Sequence, residues 1–329
     1  MSSGASIPYH LRHNKAVERA LLIDALKKIA HYSDVSEYCY IGFGGPFLED
    51  FKQLHQELKI TDMISIEQNE NVKRRQEFNR PLSCITIPDR SYSSTEFIDQ
   101  HDFTKKSIVW LDFVRFNDIE SQLHDLHTLV SKLADGDIFK VTMNANSSNL
   151  GNPDSKDIDL NSFRLDKAKE IITEDYFPED ISVDDMTHRR FPSVLLKSIK
   201  RAAYKGLSAS HELRVVPLSA FVYEDGQKMI SATAIILNVN EAENFFESTK
   251  FRNWQYYAED WNALRNISLP SLSVRERLEI ERMLPGADCQ QITNTLGYYI
   301  GGEKVEADLH MNNFIDYYRS FPWFGKMVI

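Results

Sequence analysis

The chain has 329 residues, 42% of them hydrophobic, enough for one large domain or a main domain with an appended one. Its formal charge of −10 argues against broad, non-specific attraction to nucleic acid or anionic membrane, though not against a local basic groove. No apolar core marks the first residues as a signal peptide, no apolar run approaches the roughly 18 residues of a membrane span, and Cys39, Cys84 and Cys289 lack metal-type spacing, so the expectation is a soluble cytoplasmic protein.

"NKAVERALLIDALKKIA" predicts an amphipathic helix with Asn14 as its cap. "EYCYIGFG" reads as a strand ending in glycine, and "PFLEDFKQLHQEL" as the helix after it. A second strand in "DMISIEQ" precedes a helix in "NENVKRRQEFN", which Pro81 closes. "LSCITI" is a third strand, followed by a short helix that Ser93 or Ser94 caps. "KSIVWLDF", the helix "DIESQLHDLHTLVSKL" and "GDIFKVTMN" complete the series. These strands are short, continuous apolar runs, the pattern of a parallel sheet covered on both faces.

After Asn144 the rhythm breaks into a polar loop and then helical stretches. "LRVVPLSAFVYE" and "KMISATAIILNV" follow as two strands, joined by the Asp-Gly hairpin signal at Asp225-Gly226. A closing antiparallel hairpin departs from the simple dinucleotide fold, whose strands would continue parallel. The domain expectation is a main α/β domain over 1–240, with an insertion at about 145–212, and a mostly helical region over 241–329. In that last region Ser273 and Glu276 form a capping box, and Pro285-Gly286 stops the helix.

The loop "GFGGPF" narrows the ligand. A phosphate-binding P-loop needs Gly-Lys-Ser/Thr, and Pro46-Phe47 stand there instead. A dinucleotide fingerprint needs a third glycine where Phe47 lies, and Pro46 near the first helical turn removes a backbone N–H from an anion site. A ligand with ribose and adenine but no phosphate fits better. Glu67, at the end of the second strand, is placed to accept from both ribose hydroxyls; its alternative role is to start the next helix favourably.

With "YIGFGGPF" as glycine motif, "SIEQNE" as acidic motif, "TIPDRS" after the third strand and "VWLDF" as the fourth, the chain resembles class I S-adenosylmethionine-dependent methyltransferases. More narrowly, "LRHNKAVERALLIDAL", "YIGFGGPFLEDF" and "SIEQNENVKRRQEFNRP" are similar to a bacterial family labelled putative O-methyltransferases. The resemblance implies a Rossmann-like methyltransferase fold, a mostly parallel sheet with an antiparallel last strand, and S-adenosylmethionine as cofactor. It implies that Gly42, Phe43, Gly44 and Gly45 line the methionine and ribose, that Glu67 and Gln68 meet the ribose, and that Asp89 lies at the adenine edge. Asp112 then faces the methyl-transfer region and is the candidate catalytic residue, orienting or deprotonating an acceptor.

Candidate acceptor contacts are Arg115, His13 (with His10 before it) and Asn144; for Arg115 the alternative is a surface ion pair, and for the histidines a surface or capping role. Catechol-type enzymes hold a metal with an Asp-Asn pair after the fifth strand, but "VTMNAN" offers Asn144 without the aspartate, so metal-independent transfer is expected. His124 and His127, one turn apart, read as a solvated face. Arg189, Arg190, Lys197, Lys200, Arg201 and Lys205 form a basic run that could neutralise phosphates, but in an acidic protein it reads first as the solvated face of an amphipathic helix or a partner for the Asp-rich stretch at 154–185. The aromatic stretch "FRNWQYYAEDW" reads as packing for the C-terminal helices rather than a base-stacking surface. An O-directed methyltransferase with a small-molecule or protein acceptor leads. A binding or regulatory module in a bacterial, defence-linked complex, a nucleic-acid methyltransferase and an NAD-dependent oxidoreductase are the alternatives, and a second copy or another chain is a candidate partner.

Overall fold

The computed structural model describes residues 12–155 and 157–323. They fall into two compact units: one holds Ile23–Val222 and Gln227–Arg265, the other the stretch ending at Leu22, Tyr223–Gly226 and the chain from Asn266 onward. The expected boundary at 240/241 therefore falls inside the first unit. His10 lies outside the described residues.

The helix α1 (His13–Ile29) leads into β1 (Cys39–Gly42), α2 (Glu49–Leu58), β2 (Asp62–Ser65), α3 (Glu70–Asn79), β3 (Ile85–Thr86), α4 (Ser94–Gln100), β4 (Ser107–Asp112), α5 (Ile119–Lys132) and β5 (Ile138–Asn144). Then come α6 (Leu160–Ile172), α7 (Phe191–Gly206), β6 (Leu213–Glu224), β7 (Lys228–Asn238), α8 (Ala242–Thr249) and β8 (Arg265–Ile267). The sheet runs β3-β2-β1-β4-β5-β7-β6, with β8 beyond β6 at its edge. β1 pairs in parallel with β2 and β4, and β4 with β5, whereas β7 is antiparallel to β5. This is the mostly parallel α/β sheet with a reversed closing strand that the resemblance implied. The hairpin turns at Gly226, whose φ of 96° is the left-handed conformation that the Asp-Gly signal requires.

One face of the sheet is apolar. Ile41, Val109, Leu111, Phe139, Val141 and Met143 pack there in one cluster with α5 and α7. α7 belongs to this core: Phe191, Val194, Leu195, Leu196, Ile199, Ala202 and Ala203 are all buried. The expected insertion at 145–212 thus supplies the helix that covers the sheet between β5 and β6. The other face carries a polar row in register, Trp110 opposite Lys140 and Lys140 opposite Thr233. The Lys140 ammonium lies 3.7 Å from the centroid of the Trp110 ring, and the Trp110 indole N–H donates to Thr142 Oγ1 at 3.0 Å.

Buried carboxylates tie the layers together. Asp137 accepts from the backbone N–H groups of Ser107 (2.6 Å) and Ala134 (2.7 Å), and Asp125 on α5 accepts from the Ser94 and Thr95 hydroxyls that open α4. The aromatic stretch packs within the first unit rather than between C-terminal helices: Phe251 meets Trp254 edge-on, and Trp261 packs against Phe139 and donates to the Thr233 carbonyl.

The second unit contains α9 (Val274–Met283), α10 (Cys289–Leu296) and α11 (Lys304–Tyr317), so the C-terminal region is helical as expected. The Ser273–Glu276 capping box is formed. Asn14 is no cap; inside α1 its amide donates to the Glu224 carbonyl and to Asp225, and its oxygen accepts from the Leu269 N–H. Among the described residues no helix is long and apolar enough to cross a membrane.

Candidate active site

The strand order reverses between β1 and β4, and in such sheets a crevice opens there at the carboxyl ends of the strands. Three loops flank it, one after each of β1, β2 and β4. The first begins at Gly42, in register with Ser65 and Trp110. A Cβ on Gly42 would sit 2.7 Å from the Tyr40 hydroxyl, and one on Gly44 would collide with Leu48 and lie 2.9 Å from Ser65 Oγ and 3.0 Å from Phe51. The space freed at Gly44 is therefore taken by the protein's own side chains as α2 packs down, and that at Gly42 by Tyr40. Gly45 turns the chain at a φ of 51°.

Pro46 lies in this turn, ahead of the helix and not in its first turn as the sequence suggested. α2 starts only at Glu49, after Leu48 in the left-handed region. Its first turn carries Glu49 and Asp50, so the positive end of the helix already faces the chain's own carboxylates. That arrangement, more than the proline, disfavours a phosphate at this helix.

Glu67 is half-buried just beyond β2, and its Oε1 accepts the Asn69 N–H at 2.7 Å. Burial pushes the carboxyl pKa up, opposed by the backbone N–H groups of Asn69 and Gln68. The helix-start role is the one seen directly: the carboxylate orders the entry to α3, at the carboxyl end of β2. Gln68 is exposed. The loop after β3 returns to Glu67, whose carbonyl accepts the Tyr92 N–H at 3.0 Å. Asp89 itself is exposed, and its backbone carbonyl, held by Lys73 at 2.9 Å, is the part that the fold engages.

Asp112 ends β4 opposite Thr142. Beyond it Phe113 is buried and its ring lies 5.7 Å from that of Phe43, an aromatic pair between the first and fourth strand ends. Asn144 is only 6% exposed. Its oxygen accepts from Asn146 N and Asn149 Nδ2, both at 3.1 Å, and its amide donates to the Val114 carbonyl at 3.4 Å. It joins the loops after β4 and β5.

A family profile matches residues 7–329, nearly the whole chain. The chain belongs to the family described as "Putative O-methyltransferase". Solved structures similar to this family member include Trm1 from Pyrococcus horikoshii in complex with S-adenosyl-L-methionine, at 12% identity and a TM-score of 0.46. That match covers 70% of this chain and 57% of the Pyrococcus chain, so the chain spans little more than half the length of that protein. The N-methyltransferase NodS from Bradyrhizobium japonicum WM9 has 11% identity and a TM-score of 0.37, covering 67% of this chain and 96% of its own. An O-methyltransferase, also described as putative, from Klebsiella pneumoniae has 11% identity and a TM-score of 0.35, covering 70% and 90%. No curated protein matches the chain.

The remaining sequence candidates of this family member lie elsewhere. Arg115 is exposed and faces Asp118 at 3.8 Å, the surface ion pair that the sequence offered as its alternative. His13 belongs to the second unit, where its ring packs edge-on against Phe321. His124 and His127 are more than a solvated face: their Nδ1 atoms lie 3.5 and 3.1 Å from the Tyr176 hydroxyl. Among the described residues no three His, Cys, Asp or Glu side chains gather as a metal site. The basic run on α7 is largely paired: Lys197 with Asp180, Lys200 with Asp260, Arg201 with Glu179 and Lys205 with Asp175. Sequence reasoning missed Tyr92, Gln76 and Asn79. The last two sit three apart on α3, and their amides donate at 2.8 Å to the carbonyls of Gly45 and Pro46.

Proposed function

We propose that the chain is an S-adenosylmethionine-dependent methyltransferase, O-directed as the family description suggests, acting on a small-molecule or protein acceptor. The observation that carries the reading is the half-buried Glu67 carboxylate at the end of β2, the strand next to β1, whose glycine loop lies where strand order reverses. The residues fit the cofactor's chemistry: a carboxylate for the ribose hydroxyls, an aromatic pair, and a helix terminus that does not ask for phosphate.

When bound, the cofactor supplies an electrophilic methyl group on a sulfonium. Glu67 would accept hydrogen bonds from the ribose hydroxyls, and Phe43 with Phe113 would exclude water at the strand ends. Asp112 orients the acceptor hydroxyl and takes its proton, while Asn144 keeps the flanking loops in register. Holding the reactants in line accounts for much of the acceleration in such transfers, about 7–11 kcal/mol in favourable systems. The pairing of the α7 cations with carboxylates favours a small-molecule or protein acceptor over nucleic acid.

Calorimetric titration with S-adenosylmethionine and S-adenosylhomocysteine tests the cofactor. Saturable binding that weakens in Glu67→Ala supports it, and absence of binding sinks it. Transfer of labelled methyl groups into lysate fractions then tests the activity, and binding without transfer into any fraction would favour the alternative of a regulatory module.

A further inference from the structure

A helix docked against a sheet needs an apolar stripe on its inner face. α3 carries a polar one. Lys73, Gln76 and Asn79 recur every third residue, Gln76 is fully buried, and Lys73 is 6% exposed. Each side chain donates to a backbone carbonyl of a loop at the carboxyl end of the sheet. Lys73 holds the Asp89 carbonyl after β3 at 2.9 Å, while Gln76 and Asn79 hold Gly45 and Pro46 after β1, each at 2.8 Å. Gln76 Oε1 also accepts from Ser65 Oγ at 3.2 Å, and Ser65 is the register partner of Gly42. At the start of the helix Glu70 accepts from the Ser91 hydroxyl at 2.8 Å. The opposite face of the helix is solvated, with Phe78 92% exposed.

Water can satisfy loop carbonyls at a surface without burial of any amide. Burying an amide and an ammonium is costly unless their hydrogen bonds form. Here those bonds converge on two loops, and these are the loops on either side of Glu67. The first of them also contains Leu48 at a φ of 53°, a conformation that a branched residue keeps only where its surroundings dictate it.

We infer that α3 is a clamp that fixes the glycine loop and the loop after β3 relative to Glu67, with Gln76 and Asn79 as positioning residues for the cofactor. The positioning role rests on the function proposed above; the clamp itself does not. Gln76→Glu keeps an acceptor for Ser65 but loses the donor to Gly45, and Asn79→Ala, at a less buried position, removes the grip on Pro46. Phe78→Ala, on the solvated face, is the control.

Hydrogen exchange of the amides in 43–48 reads the clamp without any ligand. Exchange there is expected to rise about tenfold or more in both variants and to stay unchanged in the control. Dissociation constants for S-adenosylmethionine and S-adenosylhomocysteine are expected to rise about tenfold in both variants. Unchanged exchange in Asn79→Ala and in folded Gln76→Glu overturns the clamp. Faster exchange with unchanged affinity overturns the positioning role. A wild-type chain that binds neither compound refutes the methyltransferase reading and with it the positioning role, while the exchange data still decide the clamp.

Discussion

Glu67 has one observed role and one proposed role, and one substitution separates them. Its Oε1 accepts the Asn69 N–H at 2.7 Å and orders the entry to α3, while the carboxylate is proposed to accept from the cofactor's ribose. Glu67→Gln retains a carbonyl oxygen for Asn69 but replaces the second oxygen with an N–H donor and removes the charge. A hydrogen bond to a charged group contributes about 1.5–3 kcal/mol. Glu67 is half-buried, so solvent screens part of this and the lower end applies. The expected result is S-adenosylmethionine binding weakened roughly tenfold, with the midpoint of thermal unfolding almost unmoved. Glu67→Ala loses both roles, and it should weaken binding further while lowering the unfolding midpoint. Titration calorimetry and differential scanning calorimetry on the three proteins separate the effects. Wild-type affinity in Glu67→Gln would refute the ribose role and leave only the helix-entry role.

Gly44→Ala drives a Cβ into Leu48, Ser65 and Phe51, and overpacking of this kind costs about 1–3 kcal/mol, measurable by urea unfolding; an unchanged midpoint would mean that α2 moves aside freely. Asn144→Ala removes the link between the loops after β4 and β5 and is expected to cost about 1–3 kcal/mol, with faster amide exchange at 144–149; normal exchange there would contradict its role. Burial pushes the Asp137 carboxyl from 3.8 to about 6 against the pull of two backbone N–H groups. Because the folded value lies above the unfolded one, this contribution is fully present below about pH 4 and is lost as pH rises through about 6, a change of about 3 kcal/mol. The stability of wild type relative to Asp137→Asn should fall by that amount between about pH 4 and pH 8, and a pH-independent difference refutes the assignment. Asp175→Asn combined with Asp180→Asn releases Lys205 and Lys197, so salt-sensitive binding of single-stranded RNA should increase over wild type; equal binding would show that the pairing does not mask the α7 cations.

The βα series was legible because each strand is a short apolar run bounded by residues with local mechanisms. Ser93 and Ser273 cap their helices through their own hydroxyls, and Gly226 supplies the positive φ of the hairpin. What was not legible depends on partners distant in the chain. The basic run of α7 was legible as a partner for the acidic stretch at 154–185, where Asp175, Glu179 and Asp180 lie, whereas Asp260, sixty residues from Lys200, is not recognisable as a partner. The unit boundary is hidden for the same reason, since Asn14 bonds to Asp225 and Leu269, more than two hundred residues away. The glycine loop shows the limit most clearly. Its glycines announced a close approach, and the approach is real, but the nearest atoms belong to Tyr40 and Trp110 at Gly42 and to Leu48, Ser65 and Phe51 at Gly44. A hydrophobicity pattern has no term for a helix face that is polar because it grips carbonyls, so "VKRRQEFN" reads as a solvated segment until the loops are set against it. Lys73, Gln76 and Asn79 at a spacing of three do carry the signal: three hydrogen-bonding groups repeated on one face of a helix, where burial requires partners, find them in the carbonyls of the loops after β1 and β3.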